Sequence, residues 1–210
     1  KERVLTWRTL DDTLEMEKAA VTCQDIAVIG GGLLGLEAAR GLKSFCASIT
    51  VLEYFPRLMP RQLDEQGARL LQDFVEDMGI DVIVGARTQA LVGHGRVTGV
   101  ELLDREMLPA QTVVVAAGVR SNAVLADDAG IEVDRGIVVD NRMATSAPDV
   151  YAAGDVGVYQ GYSWAIAPIA QAQARVAAAN MVGEDKVYDV VVPSTTLKVV
   201  GIDVSSVGLV

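Results

Sequence analysis

The residues with the clearest chemical purpose are three glycines, Gly30, Gly32 and Gly35, spaced GxGxxG directly after the apolar run Asp25-Ile26-Ala27-Val28-Ile29. Glycine at the first position permits a tight turn out of a strand. At the second it lets the backbone approach a pyrophosphate with no Cβ in the way, and at the third it permits close packing of a helix on that strand. The stretch from Leu33 to about Lys43 has a helical pattern, so its first amides and positive dipole end point at the same place. Gly30, Gly31, Gly32, Leu33, Leu34 and Gly35 therefore read as a dinucleotide phosphate cradle. Glu53 ends the next apolar run, Ser48 to Glu53, 18 residues beyond Gly35. A carboxylate there can accept hydrogen bonds from both hydroxyls of an adenosine ribose and would repel a 2′-phosphate, which favours NADH over NADPH. Arg57 and Arg61 lie close downstream and keep a phosphate contact open. The competing reading is a structural glycine turn with a solvated acid at a strand end.

These residues need a βαβ unit to position them, and the pattern supplies one: strand Ile26 to Ile29, helix Leu33 to Lys43, strand Ile49 to Glu53. After a loop flanked by Pro56 and Pro60, apolar residues at Leu63, Leu70, Leu71, Phe74, Val75 and Met78 follow the period of an amphipathic helix. Gly79 stands where a left-handed cap is usual, and Ile80 to Val84 reads as a third parallel strand. Thr88 to Val92, Arg96 to Leu103 and Met107 to Leu108 read as an antiparallel meander inserted after it. Gly93, Gly95 and Gly99 echo the cradle spacing, but no helix follows and they read as hairpin turns. Thr112 to Ala116 returns to a continuous apolar strand, after which Gly118 marks a tight turn and a ligand edge. Upstream, Thr13 to Ala20 reads as a connector helix capped by Thr9 or Asp11. Downstream, Ile131 to Val133 and Ile137 to Val139 read as short paired strands, the apolar residues before Gly154-Asp155 as a strand, Pro168 to Met181 as an Ala-rich helix, and Val187 to Val192 and Thr196 to Val200 as a β-rich section. The fold class is α/β, a Rossmann-like domain with an inserted β-meander.

Composition narrows the function classes. The chain has 210 residues, half of them hydrophobic (50%), enough for a packed core, and a formal net charge of −10. That charge argues against general affinity for nucleic acid or an anionic membrane. No apolar stretch reaches the ~18 residues of a membrane span, and the first residues do not resemble a secretory signal, so a cytoplasmic location is expected. Cys23 and Cys46 fit neither a CxxC redox pair nor a metal-ligand pattern and read as free thiols. His94, between Gly93 and Gly95, is a poor candidate for a general base or metal ligand. With no Ser-His-Asp, zinc or metal-carboxylate constellation, chemistry must come from a bound cofactor.

Four segments in order, Gly30 to Ala39, Val113 to Asn122, Thr145 to Asp155 and Ser194 to Val199, give the chain a resemblance to the FAD-dependent pyridine nucleotide-disulfide oxidoreductase family, in its branch of NADH-dependent nitrite reductase large subunits and rubredoxin reductases. The resemblance implies an FAD/NAD(P)-binding fold laid out as a connector over 1–24 from an absent first part of the FAD domain, an NAD-binding domain over 25–141, the second part of the FAD-binding domain over 142–186, and the start of a truncated interface domain over 187–210. It implies a segment of a longer protein carrying an FAD half-site. It also implies that Gly154 and Asp155 contact flavin, Asp155 accepting from a ribityl hydroxyl; read without the family, the pair is an ordinary turn. The helix beginning near Pro168 would aim its N-terminus at the flavin pyrimidine edge. Gly118 would lie beside the nicotinamide ribose. Glu37 would stand near nicotinamide and flavin and position the hydride donor, or else simply complement the dipole of its helix.

The implied activity is hydride transfer from NADH to FAD, followed by electron delivery to an acceptor such as a nitrite-reducing sirohaem centre, rubredoxin, oxygen or a disulfide. A redox protein or domain is the expected partner, with a homodimer for the full-length protein. No CxxxxC redox disulfide is present in this chain. A different class of function fits the same residues: a nucleotide-binding or sensing module without turnover.

Overall fold

A computed structural model describes residues 1–45, 48–189, 191–197, 201–202 and 204–208 of the chain. Cys46 and the last part of the strand expected over Thr196 to Val200 fall outside them. The chain divides into two compact units, Lys1–Gly118 together with Thr196–Val210, and Val119–Thr195.

In the first unit the elements run β1 (Val4–Thr6), α1 (Leu10–Ala20), β2 (Asp25–Ile29), α2 (Leu33–Lys43), β3 (Ser48–Leu52), α3 (Glu65–Asp77), β4 (Asp81–Ile83), β5 (Thr88–Val92), β6 (Gly99–Leu102), β7 (Leu108–Pro109) and β8 (Thr112–Val115). Strands β1, β8, β2, β3 and β4 form, in that order, a parallel sheet. The apolar character of its strands is continuous because both faces are covered. Ile26 and Val28 of β2, Ile49 and Val51 of β3 and Val114 of β8 point to one side, against α1, α2 and α3 through Met16, Leu36, Leu42, Leu71 and Val75. Ala27, Leu52 and Val113 point to the other side, where Val97, Val100, Leu102 and Ala110 of the meander cover them. Each fully buried Val, Leu or Ile here contributes about 1.5–3 kcal/mol. The chain winds from β2 through α2 and β3 to β4 on one side, then returns to place β8 on the other side of β2. The crevice at the carboxyl ends of β2 and β8 is therefore a topological switch point, where open α/β sheets bind ligands.

The expected helices and parallel strands of this unit are present, with α2 spanning the expected residues and Gly79 in the left-handed region at φ +74°. Strand β1, which pairs in parallel with β8, was not anticipated; three residues are too few to display a period. Helix α1 begins earlier than the apolar pattern suggested because Thr9, not Asp11, caps it. Thr9 accepts from the Asp12 amide, and Asp12 accepts from the amides of Thr9 (2.7 Å) and Arg8 (2.8 Å) in a capping box. Those backbone hydrogen bonds, that from Thr9 foremost, hold the Asp12 carboxyl below its ordinary range.

The second unit contains α4 (Val124–Asp128), β9 (Ile137–Val139), a 3₁₀ turn over Gly154–Val156, β10 (Gly157–Tyr159) and α5 (Ala167–Met181). Strand β9 pairs in parallel with β10, while Ile131 to Val133 contributes only the antiparallel bridge Val133–Ile137 in place of a strand. The expected strand before Gly154 reduces to a bridge between Ala144 and Tyr151. Helix α4 is a further addition to the expected elements. Among the described residues of Val187 to Val192 there is no strand. Other contacts hold this segment: the Tyr188 amide donates to the Asn141 carbonyl at 2.7 Å and the Tyr188 ring meets Tyr159 edge-on at 5.5 Å, while just upstream Asn180 Nδ2 donates to the Lys186 carbonyl at 2.8 Å. Strands β11 (Ser194–Leu197) and β12 (Val204–Val207) form a two-stranded sheet.

Candidate functional site

The glycine turn at the end of β2 is fixed by backbone contacts that exclude other residues. Gly30 lies at φ +117°, and a Cβ on it would stand 2.7 Å from the carbonyl carbon of Ala116 at the end of β8. A Cβ on Gly35 would overlap the carbonyl of Gly30, reaching 2.9 Å from its carbon, so only glycine lets α2 come down onto the turn. Gly31 is enclosed by Leu58 and Glu53; a Cβ there would be 2.6 Å from Leu58 Cδ2 and 2.8 Å from Glu53 Cβ. Gly32 differs from all three. No atom lies within 4 Å of where its Cβ would be, and its backbone is extended at φ −84°.

That open space lies at the start of α2. Gly32 is the N-cap and provides no side-chain hydrogen bond, whereas Thr9 caps α1 and Asp64 caps α3 with side-chain oxygens. The amides of Leu33, Leu34 and Gly35 belong to the first turn, which has no intrahelical acceptors for them. A helix start with no side-chain cap, next to open space and at a switch point, suits an anionic group and fits the pyrophosphate of a dinucleotide. Leu33 packs its side chain partly into the core below, while Leu34 is exposed. Glu37 is half-buried in the next turn of α2, and Gly118, at φ +112° with nothing within 4 Å of its Cβ position, follows two residues after Ala116.

Glu53 is buried directly beneath the turn, 6% exposed. Its Oε2 accepts from the Gly31 amide at 2.6 Å and its Oε1 from the Phe55 amide at 2.8 Å. Each oxygen has used one lone-pair site and retains another, so the carboxylate both ties the strand end to the glycine turn and keeps acceptor capacity for hydroxyl groups. The solvated-acid reading does not describe it. Arg57 is committed elsewhere: its Nε donates to the Leu63 carbonyl at 3.1 Å and its Nη2 to the Pro60 carbonyl at 3.2 Å. Arg61 is exposed. Two further residues belong to the turn, Leu58 and Met59, both fully buried, the latter donating its amide to the Gly31 carbonyl at 3.1 Å. The only signal for them was an apolar pair in a loop bounded by two prolines.

In the second unit Gly154 sits at φ +81° at the start of the 3₁₀ turn, and Asp155 follows with an exposed side chain. Three side chains hold this backbone. Gln173 Oε1 of α5 accepts from the Gly154 amide at 2.8 Å, and the hydroxyls of Ser121 and Ser163 donate to the Asp155 carbonyl at 2.7 and 3.0 Å. The start of α5 is adjacent: Pro168 lies in its first turn, and a Cβ on Gly154 would lie 3.5 Å from Ala170 Cβ. Ile166, the N-cap of α5, provides no side-chain hydrogen bond, so this helix start is also open to an acceptor group. Gln173, Ser121 and Ser163 were absent from the sequence reading, since no local motif marks residues so far apart along the chain.

The sequence profile of the pyridine nucleotide-disulphide oxidoreductase family matches residues 1–183. The chain belongs to the pyridine nucleotide-disulphide oxidoreductase family. Within that family it is 41% identical over 99% of its length to a nitrite reductase [NAD(P)H] of Bacillus subtilis, covering 26% of that protein. It is 31% identical over 99% of its length to the NADH-rubredoxin oxidoreductase of Clostridium acetobutylicum, covering 51% of it. Its structure superposes with a TM-score of 0.90 on a ferredoxin reductase of Rhodopseudomonas palustris, at 32% identity, over 99% of this chain and 53% of that one. The chain thus spans a quarter to a half of the family members it matches, and membership bears out both the expected branch and the FAD/NAD(P)-binding fold class. The family and its nitrite reductase members imply FAD and NAD(P)H as cofactors. Among the described residues no helix is long and apolar enough to cross a membrane, and no cluster of His, Cys, Asp and Glu could hold a metal ion.

Proposed function

We propose that this chain is the nicotinamide-binding and flavin-contacting segment of an NADH-dependent flavoprotein oxidoreductase. The observation that carries the reading is the open space at Gly32, at a helix start without a side-chain cap and above a buried carboxylate with acceptor capacity left. The first-turn amides of α2 bind the pyrophosphate. Glu53 orients the adenosine ribose through its hydroxyls, and a 2′-phosphate brought there would meet an anion while Arg57 is already bonded to loop carbonyls. Glu37 and Gly118 border the nicotinamide end. In the second unit Gly154 and Asp155 hold the flavin, Asp155 accepting from a hydroxyl, and the start of α5 near Pro168 favours negative charge on the ring. FAD, when bound, would supply the redox chemistry between NADH and an electron acceptor; the residues named here would supply orientation and electrostatics, and no residue need act as acid or base. Relatives named as a nitrite reductase and as an NADH-rubredoxin oxidoreductase support an electron acceptor of one of those two kinds, a nitrite-reducing centre or rubredoxin.

Calorimetric titration with NADH and with NADPH tests this reading. NADH should bind the wild-type chain more tightly. Glu53→Gln removes the charge and one acceptor oxygen, and should lower the NADH:NADPH affinity ratio by about tenfold, the equivalent of one charge-assisted hydrogen bond. An unchanged ratio would remove Glu53 from ribose recognition, and no binding of either nucleotide by the wild-type chain would make the glycine turn purely structural.

A further inference from the structure

We infer that Gln173 is a positioning residue for the Gly154–Asp155 turn, acting through the Gly154 amide. The inference rests on the reading of Asp155 as a flavin contact and extends it to a residue that touches no ligand. Gln173 is 3% exposed, on the face of α5 that also buries Ile169, Val176 and Ala177. A carboxamide is costly in such surroundings unless it is hydrogen-bonded, and an aliphatic side chain of similar length would pack there without that cost. The partner it has found is the amide of Gly154, at 2.8 Å.

That partner is significant because Gly154 is the residue at which the backbone enters the left-handed region, φ +81°, before the 3₁₀ turn. In this conformation its N–H has no ladder or helix acceptor. Gln173 provides one from a regular helix, so the orientation of the Gly154 peptide is set by a rigid element instead of by the loop. On the other side of the turn, Ser121 and Ser163 fix the Asp155 carbonyl from two further segments. With the peptide held on both sides, the Cα–Cβ bond of Asp155 leaves the turn in one direction, and a ligand need not order the backbone that carries the carboxylate. Preorganisation of this kind strengthens binding by lowering the entropy lost on association.

A residue that merely fills space would be replaceable by methionine, which has similar length and no acceptor at the Oε1 position. A positioning residue would not be, whereas glutamate retains the acceptor. The test uses the 210-residue chain, with FAD binding followed by flavin fluorescence and the Gly154 amide followed by hydrogen exchange without FAD. The Gly154 amide should be protected in the wild-type chain. Gln173→Met should weaken FAD binding about tenfold and speed exchange at Gly154, and Gln173→Glu should recover both at least in part. Asp155→Ala, which removes the acceptor altogether, separates the inference from the reading beneath it. If Asp155→Ala leaves FAD affinity unchanged, or the wild-type chain binds no FAD, the flavin reading fails and takes the inference with it. If Asp155→Ala weakens FAD binding and Gln173→Met does not, the reading stands and the positioning role is refuted. An unprotected Gly154 amide in the wild-type chain refutes that role as well, even where Gln173→Met does not fold.

Discussion

The turn at Gly30–Gly35 and the turn at Gly154–Asp155 both place a glycine in the left-handed region beside the start of a helix that lacks a side-chain cap, yet they are built by opposite means. The first depends chiefly on what its residues lack, with the Glu53 carboxylate tying the Gly31 amide to the strand end. Gly30, Gly31 and Gly35 each sit where a Cβ would strike the backbone of Ala116, the side chains of Leu58 and Glu53, or the Gly30 carbonyl. The second is held by what other residues bring. Around Gly154 a Cβ would find only Ala170 Cβ at 3.5 Å, an ordinary contact, and the turn is kept in shape by Gln173, Ser121 and Ser163. A site made by close backbone approach tolerates almost no change at its glycines. A site made by side-chain hydrogen bonds distributes its dependence over several distant positions.

The largest effect should follow at Gly35. A methyl group there overlaps the Gly30 carbonyl, and α2 must move off the turn to admit it, which overpacks one of the tightest contacts in the unit. Gly35→Ala should cost about 3 kcal/mol or more in a denaturant titration. Gly154→Ala should cost less, about 1–2 kcal/mol, because the penalty there comes only from placing a Cβ-bearing residue at positive φ. If Gly154→Ala proves as damaging as Gly35→Ala, the two turns do not differ in the way proposed, and contacts around Gly154 must be tighter than the geometry indicates.

The same difference explains what could be read from the sequence. A requirement for no side chain at fixed spacing is written into three nearby positions, so the cradle, its helix and its strand were legible, and with them the parallel sheet. Gly118 and Glu53 were legible as residues at strand ends. The role of Glu53 was read only halfway: its acceptor capacity was foreseen, but its bonds to the Gly31 and Phe55 amides depend on how the loop after β3 folds back. Gln173 was invisible because its partner lies in another element, and a glutamine in an Ala-rich helix is ordinarily solvated. Strand β1 and helix α4, of three and five residues, are too short to show a period. Among the described residues of Val187 to Val192 no strand forms, for the converse reason. The β-branched residues carry strand propensity, but the carbonyl of Asn141 takes the Tyr188 amide at 2.7 Å and, just upstream, Asn180 takes the Lys186 amide, so these backbone groups are committed to partners outside a ladder.

The smallest effect on stability, and the sharpest on function, should be at Gly32. Its backbone is extended, its Cβ position is open, and alanine in place of a glycine N-cap should cost no more than about 1 kcal/mol. Alone among the glycines of the cradle, it is not required by the fold. If the open space is where a pyrophosphate rests, a methyl group there displaces the phosphate from the first-turn amides, and Gly32→Ala should weaken NADH and NADPH together by about tenfold or more while leaving their ratio unchanged. Glu53→Gln should do the reverse, changing the ratio through the ribose. The two substitutions thus divide the site into a part that recognises any dinucleotide and a part that distinguishes between two. Should Gly32→Ala fold normally and bind NADH as the parent does, the phosphates lie elsewhere, and the glycine spacing serves only to bring α2 onto β2.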